Sequence, residues 1–202
     1  MITLAIIALT VLVSWQAFGN PRLLDRLILW PPAISGAKQY DRLVTHGFIH
    51  ADWQHLLFNM ITLFFFGRFA EQQVISPMIG STGFALFYLS AIVVAIMPTY
   101  LRHKGDRNYR SLGASGAVSA VLFAFILVKP WSLIFVFFLP VPAILYGLFF
   151  VGYSYWMDRS GGGRTNHSAH LSGAIYGVLF VLMLNPAIGA HFLRALLNPS
   201  FG

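Results

Sequence analysis

The sequence predicts an all-α integral membrane protein, a single domain of six transmembrane helices over residues 1–202, and three observations predict it. Hydrophobic residues make up 57% of the chain and charged residues only 9%, where soluble domains carry about 25% charged residues. Mean hydropathy is +0.72. The apolar residues fall in runs approaching the roughly 20 helical residues that cross a bilayer, and short polar connections separate them.

The first run, Ile2 to about Phe18, has neither a basic leading segment nor a small-residue cleavage site, so it reads as a retained helix rather than a signal peptide. Gly19, Asn20 and Pro21 stop it. Residues 22–51 mix Arg22, Arg26, Lys38 and Arg42 with apolar stretches around Pro31-Pro32. Too polar to span, they are expected to form an interfacial loop with short amphipathic helices. A second span is expected over about 52–69, a third over 81–101 and a fourth over 112–128, ended by Lys129-Pro130. The fifth, over about 131–156, is rich in Phe and interrupted by Pro140 and Pro142. Beyond Gly161-Gly162-Gly163 a sixth runs from about His167 to Leu184, and residues 187–202 are expected to add a short surface helix.

Composition narrows the chemistry. Asp25, Asp41, Asp52, Glu71, Asp106 and Asp158 are the only acids, which leaves almost no material for paired-carboxylate catalysis, proton relays or calcium cages. Without Cys there are no disulfides, thiolate metal sites or Cys nucleophiles, and the redox compartment stays open. The formal charge of +7 lies mainly between apolar runs, so it is read as membrane-flanking charge rather than a nucleic-acid surface.

Six antiparallel crossings would start the second, fourth and sixth spans at one depth. His55 and Asn59 lie in the first turns of the second, Ser115 in the first turn of the fourth and His170 in the first turn of the sixth. Polar groups at membrane depth face a bundle interior or a water-filled cavity and mark function. A Ser hydroxyl needs a base to become a nucleophile, and His is the usual one. Gly116 with Ala120, and Gly173 with Gly177, are small residues at i, i+4 spacing that let two helices close on each other and bring Ser115 to His170. The unpaired N–H groups at the start of the fourth helix suit a developing oxyanion, and His55 and Asn59 can add side-chain donors.

These stretches resemble the rhomboid family of intramembrane serine proteases. Gly113-Ala114-Ser115-Gly116 is similar to its G-x-S-G motif, His55 to Asn59 to its H-x-x-x-N, and Ala169-His170 through Gly173 to Gly177 to its A-H-x-x-G-x-x-x-G. Arg42 matches the arginine of the family's first loop and Glu71 its glutamate below the second helix; the likeness covers roughly residues 40–180. The resemblance implies a six-helix rhomboid-like bundle that cleaves transmembrane proteins with a Ser115–His170 dyad and no Asp. It implies an oxyanion hole of His55, Asn59 and the Ser115 N–H, a bilayer-embedded first loop, and a fifth helix that gates. Two positions depart from the family: Asp41 replaces a tryptophan, and Ser119 replaces a tyrosine that packs on the catalytic histidine ring. His167 or another aromatic is expected to compensate.

Blander readings stand beside these. Ser115 and the glycines can be packing residues, His170 a structural histidine, and His55 and Asn59 interhelical hydrogen-bonders. His46 and His50, four apart, have metal-sharing spacing, but no HExxH exists and Asp52 would be a lone carboxylate, so they are read as seating the loop. No metal or cofactor is expected. Two other functions are carried forward: a catalytically inactive client-binding rhomboid-like protein, and a histidine-based metal or haem membrane protein using His46, His50, His55, His167 and His170. Expected partners are transmembrane protein substrates and lipids, with no nucleic acid; oligomeric state is open. A multi-pass location in a bacterial inner or plasma membrane is expected. Its orientation is contested. The catalytic-side loops carry Arg22, Arg26, Lys38, Arg42, Arg102, Lys104, Arg107, Arg110, Arg159 and Arg164, against Arg68, Lys129 and Arg194 opposite, so the positive-inside rule points the site to the cytoplasm. The family's usual topology points it outward.

Overall fold

The computed structural model describes residues 1–136, 138–161, 163 and 165–200. It is mostly helical, at 76%. Helix α1 (Ile2–Phe18) buries Thr3, Ile6, Thr10, Ser14 and Ala17, a stripe of helical period made, apart from Ile6, of small or polar residues. Its first turn is held by Glu71, whose buried carboxylate accepts from Ile2 N (2.7 Å), Thr3 N (2.8 Å) and Thr3 Oγ1 (2.6 Å). A carboxylate from another helix thus serves as the N-terminal cap, meeting both the orphan donors and the dipole.

The expected interfacial loop is built of short helices: α2 (Pro21–Leu27), α3 (Pro31–Ala37) and α4 (Arg42–Thr45), followed by a 3-10 turn at His46–Phe48. Pro21 and Pro31 stand at the first helical positions, where a missing N–H costs nothing. Arg42 is only 4% exposed and ties the loop together. Its Nη1 donates to Asp25 O and Ile28 O, both at 2.7 Å, and its Nε to Gln39 Oε1 at 2.6 Å, so it caps the C-terminal carbonyls of α2.

Helix α5 (Trp53–Thr62) starts on Asp52, whose carboxylate accepts from His55 N at 2.7 Å. The helical path runs past the expected end at Phe69 through π-helical turns at Leu63–Gly67 and Ala70–Ile75 and into α6 (Ser76–Arg102). At Gly80 the backbone turns, with φ +75° and ψ 172°, a conformation open to glycine. The third helix accordingly begins at Ser81, where the sequence places it. Helix α7 (Ser115–Val128) starts three residues later than expected. Ser111 is held instead in a backbone bridge with Leu29, and Gly113 takes φ +116°.

The expected fifth helix over 131–156 is corrected. Strands β1 (Leu133–Val136) and β2 (Leu139–Pro142) form an antiparallel hairpin, and α8 spans Ala143–Ser160. Pro140 and Pro142 lack the N–H a helix needs, and the β-branched and aromatic Leu-Ile-Phe-Val suits a strand. Ser132 O and Pro130 O accept from Ala143 N and Ile144 N, closing the hairpin onto the helix start. Helix α9 (His167–Leu184) keeps its expected bounds, and α10 (Ala187–Leu197) lies on the surface without a buried residue. Phe137, Gly162 and Arg164 lie outside the described residues; Gly161 and Gly163 both have positive φ.

Among the described residues, two stretches are long and apolar enough to cross a membrane by length and composition, Trp53–Arg102, which contains the Gly80 turn, and His167–Leu184. Ile2–Phe18 and Ser115–Val128 are shorter apolar helices. The core gathers around α7, with Val121, Ala120 and Ala124 packed against Phe84, Phe87 and Tyr88 of α6.

Candidate active site

Glycine sets the geometry between α7 and α9. A Cβ on Gly173 would overlap Gly116 O, and one on Gly177 would overlap Ala120 O. Backbone therefore meets backbone along a seam where no side chain fits between. Residue numbers rise together along it, from Gly116 opposite Gly173 to Ala120 opposite Gly177, so the two helices run parallel. The same holds for α5 and α7. Their starts meet where the His55 ring covers Gly113, and farther along Phe66 and Phe69 lie 4.9 and 5.0 Å from Phe125. Three helix N-termini thus share one end of the molecule, bringing His55, Ser115 and His170 to one level.

The segment leading into Ser115 is strapped to the first loop. Gly113 N donates to His46 O at 2.9 Å, and Ala114 N to His50 Nε2 at 3.3 Å. Because an N–H can only donate, Nε2 is the bare nitrogen and the ring proton sits on Nδ1, 3.0 Å from Ser14 Oγ. Ser14 Oγ in turn donates to Phe48 O at 3.1 Å. The chain Ala114–His50–Ser14–Phe48 is satisfied at every link and needs a neutral imidazole. Burial, with a smaller contribution from His55, pushes His50 down to about 3. Both His50 nitrogens are thereby engaged in holding the loop to α1 and to the segment before Ser115. His46 contributes its carbonyl, while its ring nitrogens are buried without a partner among the described residues.

Ser115 is half-buried, the first residue of α7, and its carbonyl accepts from Ser119 Oγ at 2.8 Å. The hydroxyl at the position of the family's tyrosine is therefore turned into its own helix. A cavity of about 10 Å³, space for about one water, lies beside Ser115 and is lined also by His46, Ser111, Gly113 and Asn166. Gly113 has no freedom to change: its φ is +116°, and a Cβ would lie 2.7 Å from His55 Cε1. Asn59 is buried and spends one amide N–H on His55 O at 2.9 Å. Ser115 and His170 sit on the same seam, but among the hydrogen bonds of the described residues none joins their side chains. Catalytic hydrogen bonds are often long before substrate binds.

Asn166, which sequence reasoning passed over, joins three pieces. Its Oδ1 caps α9 by accepting from Ala169 N (3.0 Å) and also accepts from Thr99 Oγ1 (2.9 Å), while its Nδ2 donates to Ser111 Oγ (3.1 Å). An Asn before an apolar helical run is a readable cap signal. Its two tertiary bonds leave no mark in sequence.

A rhomboid domain model matches residues 37–187, a span that includes the seam and the helix starts just described. The chain belongs to the rhomboid family. Among similar proteins, RHOMBOID-like protein 12, mitochondrial, of Arabidopsis thaliana is 31% identical, over 81% of this chain and 52% of its own length. Rhomboid-like protein 11, chloroplastic, of the same plant is 33% identical over 71% and 52%. YdcA of Bacillus subtilis, provisionally named a rhomboid protease, is 30% identical over 52% of each chain. This rhomboid chain spans about half the length of these relatives; two carry organellar names and one is bacterial, so the expected bacterial membrane is not supported over an organellar one. Rhomboids are a family of membrane proteins that includes serine proteases.

Proposed function

We propose that this rhomboid is an intramembrane serine endopeptidase whose six-helix bundle cleaves transmembrane protein substrates. The single observation that supports the proposal is the glycine seam between α7 and α9, where Gly116, the neighbour of Ser115, meets Gly173, one turn after His170. Ser115 Oγ attacks the scissile carbonyl as His170 takes its proton, and an acyl-enzyme forms with loss of the amine, which His170 protonates. Water then attacks the acyl group with His170 as base, the ester bond to Ser115 breaks to release the acid product, and His170 returns the proton to Ser115 Oγ. The oxyanion is met by the Ser115 N–H, one of the helix-start donors without an intrahelical acceptor, with His55 and the second Asn59 N–H beside it. A substrate helix hides its carbonyls in hydrogen bonds, so segments holding Gly, Pro or small residues near the surface are the substrates expected. Six crossings, with α1, α7 and α8 spanning beside α5, α6 and α9, place both termini on the face opposite the site. A reporter fused after Gly202 reads orientation: a cytoplasmic reporter accords with the family topology, an external one with the charge count.

The test is labelling of detergent-purified protein with a fluorophosphonate serine probe. Wild type is expected to label, and Ser115→Ala and His170→Ala to lose labelling while remaining folded. Labelling that survives in Ser115→Ala removes the nucleophile assignment; folded wild type that never labels favours the non-catalytic client-binding reading.

A further inference from the structure

His170 is half-buried, and among the described residues no hydrogen bond to either ring nitrogen sets the plane of its imidazole. Rings do. The Phe150 face stacks on it with centroids 5.5 Å apart and planes at 26°, and His167 meets it edge-on at 5.6 Å and 80°. Phe150 is itself lodged, 5.8 Å from Phe123 of α7 and 6.1 Å from Tyr146 one turn earlier. Gly147 allows the approach, since a Cβ there would lie 3.0 Å from Ile126 Cδ1. One turn after Phe150, Tyr153 meets the His167 ring edge-on at 5.5 Å. Two aromatic residues of α8 thus grip the two histidines at the start of α9.

We propose that Phe150 is the positioning residue for the His170 imidazole, its face holding the ring in the plane from which it reaches Ser115. The proposal rests on the reading of Ser115 and His170 as a dyad. A flat ring on a flat ring leaves the imidazole free to slide but not to tip, and offset stacking is the favoured arrangement of such pairs. Nothing on α7 competes for the place, because the Ser119 hydroxyl is bonded to the Ser115 carbonyl. The stack also ties the base to α8, whose buried residues are only Ala143, Gly147 and Ser154 among those described. Moving α8 off α7 and α9 removes the face on which His170 rests.

The test is fluorophosphonate inactivation kinetics of the full chain in detergent for wild type, Phe150→Tyr and Phe150→Met, with thermal unfolding of each. Phe150→Met keeps apolar bulk without a flat face, so its limiting inactivation rate is expected to fall about tenfold to a hundredfold at unchanged probe affinity. Phe150→Tyr is expected to recover most of the loss. If Phe150→Met does not fold, Phe150→Leu is read in its place. A Met variant that reacts like wild type overturns the proposal, as does a Tyr variant that falls as far as Met or a loss confined to probe affinity. Those outcomes leave the dyad standing wherever wild type labels and Ser115→Ala does not; a wild type that never labels removes both.

Discussion

The chain entering Ser115 is held by hydrogen bonds from the first loop and a glycine seam from α9, whereas the His170 ring is held, among the described residues, by aromatic faces and edges. Hydrogen bonds and backbone contact fix position sharply and fail at once when a partner is lost. Ring contacts fix a plane and yield gradually. The Ser115 side therefore couples site geometry to folding, and the His170 side couples it to the seating of one thinly buried helix. Substitutions on the two sides should separate stability from reactivity.

The largest effect belongs to the seam. Gly173→Val places side-chain carbons where Gly116 O already lies, and backbone cannot rotate away as a side chain can. Overpacking in a close-packed interior costs about 1–3 kcal/mol and occasionally more, and this site, with no side chain to yield, belongs at the upper end. Unfolding in detergent is expected to show the folded state lost or lowered by at least about 3 kcal/mol, with Gly177→Val alike. A folded, normally stable Gly173→Val would mean that the seam is looser than the contact implies and that Ser115 and His170 are not set by it.

How far the site is legible in sequence follows the same division. The starts of α5 and α9, the break after α1 and the small-residue spacing of the seam are visible because capping, proline and small-residue spacing are local signals. The Pro140 and Pro142 interruption is visible too, but its outcome, a hairpin rather than a broken helix, depends on Ser132 and Pro130 carbonyls meeting Ala143 and Ile144. Phe150 is one of 19 phenylalanines, and nothing in its neighbourhood marks it as the ring that faces His170. Ser14 looks like any small residue in an apolar helix until His50 and Phe48 arrive beside it. Long-range partners of this kind are products of packing, and a departure such as Ser119 shows only that a partner is missing, not which residue supplies it.

The His50 relay gives the intermediate effect. His50→Leu orphans the Ala114 N–H and removes the donor to Ser14 Oγ, and an unsatisfied buried group costs about 1–3 kcal/mol. His50→Gln offers an amide oxygen to Ala114 N and an N–H toward Ser14, so it should recover part of the stability and of the labelling rate. The pH dependence follows from the lowered His50 value. The unfolded ring binds a proton below its ordinary value near 6.5, while the folded ring stays neutral to about 3. The unfolded state then holds more protons in that window, so the folded state loses stability as pH falls from about 6.5 toward 3. Unfolding titrations of His50→Gln should show a shallower loss over that range. An unchanged slope would remove His50 as its source.

The smallest effect is expected a few residues away on the same loop, where Arg26 Nη1 meets Asp41 Oδ2 at 2.6 Å with both side chains about half exposed. The Arg26 hydrogen bond is the main cause holding the Asp41 carboxyl below its ordinary value, against an opposing contribution from burial. The pair therefore contributes above the ordinary carboxylate range and is lost as pH falls through the lowered folded value. Solvent screening keeps such pairs near 0–1 kcal/mol, so Asp41→Asn should move the unfolding midpoint slightly and less still at high salt. Its labelling rate should equal wild type, because neither partner reaches the His46 and His50 straps or the rings around His170. A large loss of rate in Asp41→Asn would mean that the loop transmits charge changes to Ser115. The hydrogen bonds from Arg42 to Asp25 and Ile28 would then be the place to follow that transmission, since they join the exposed pair to the buried part of the same loop.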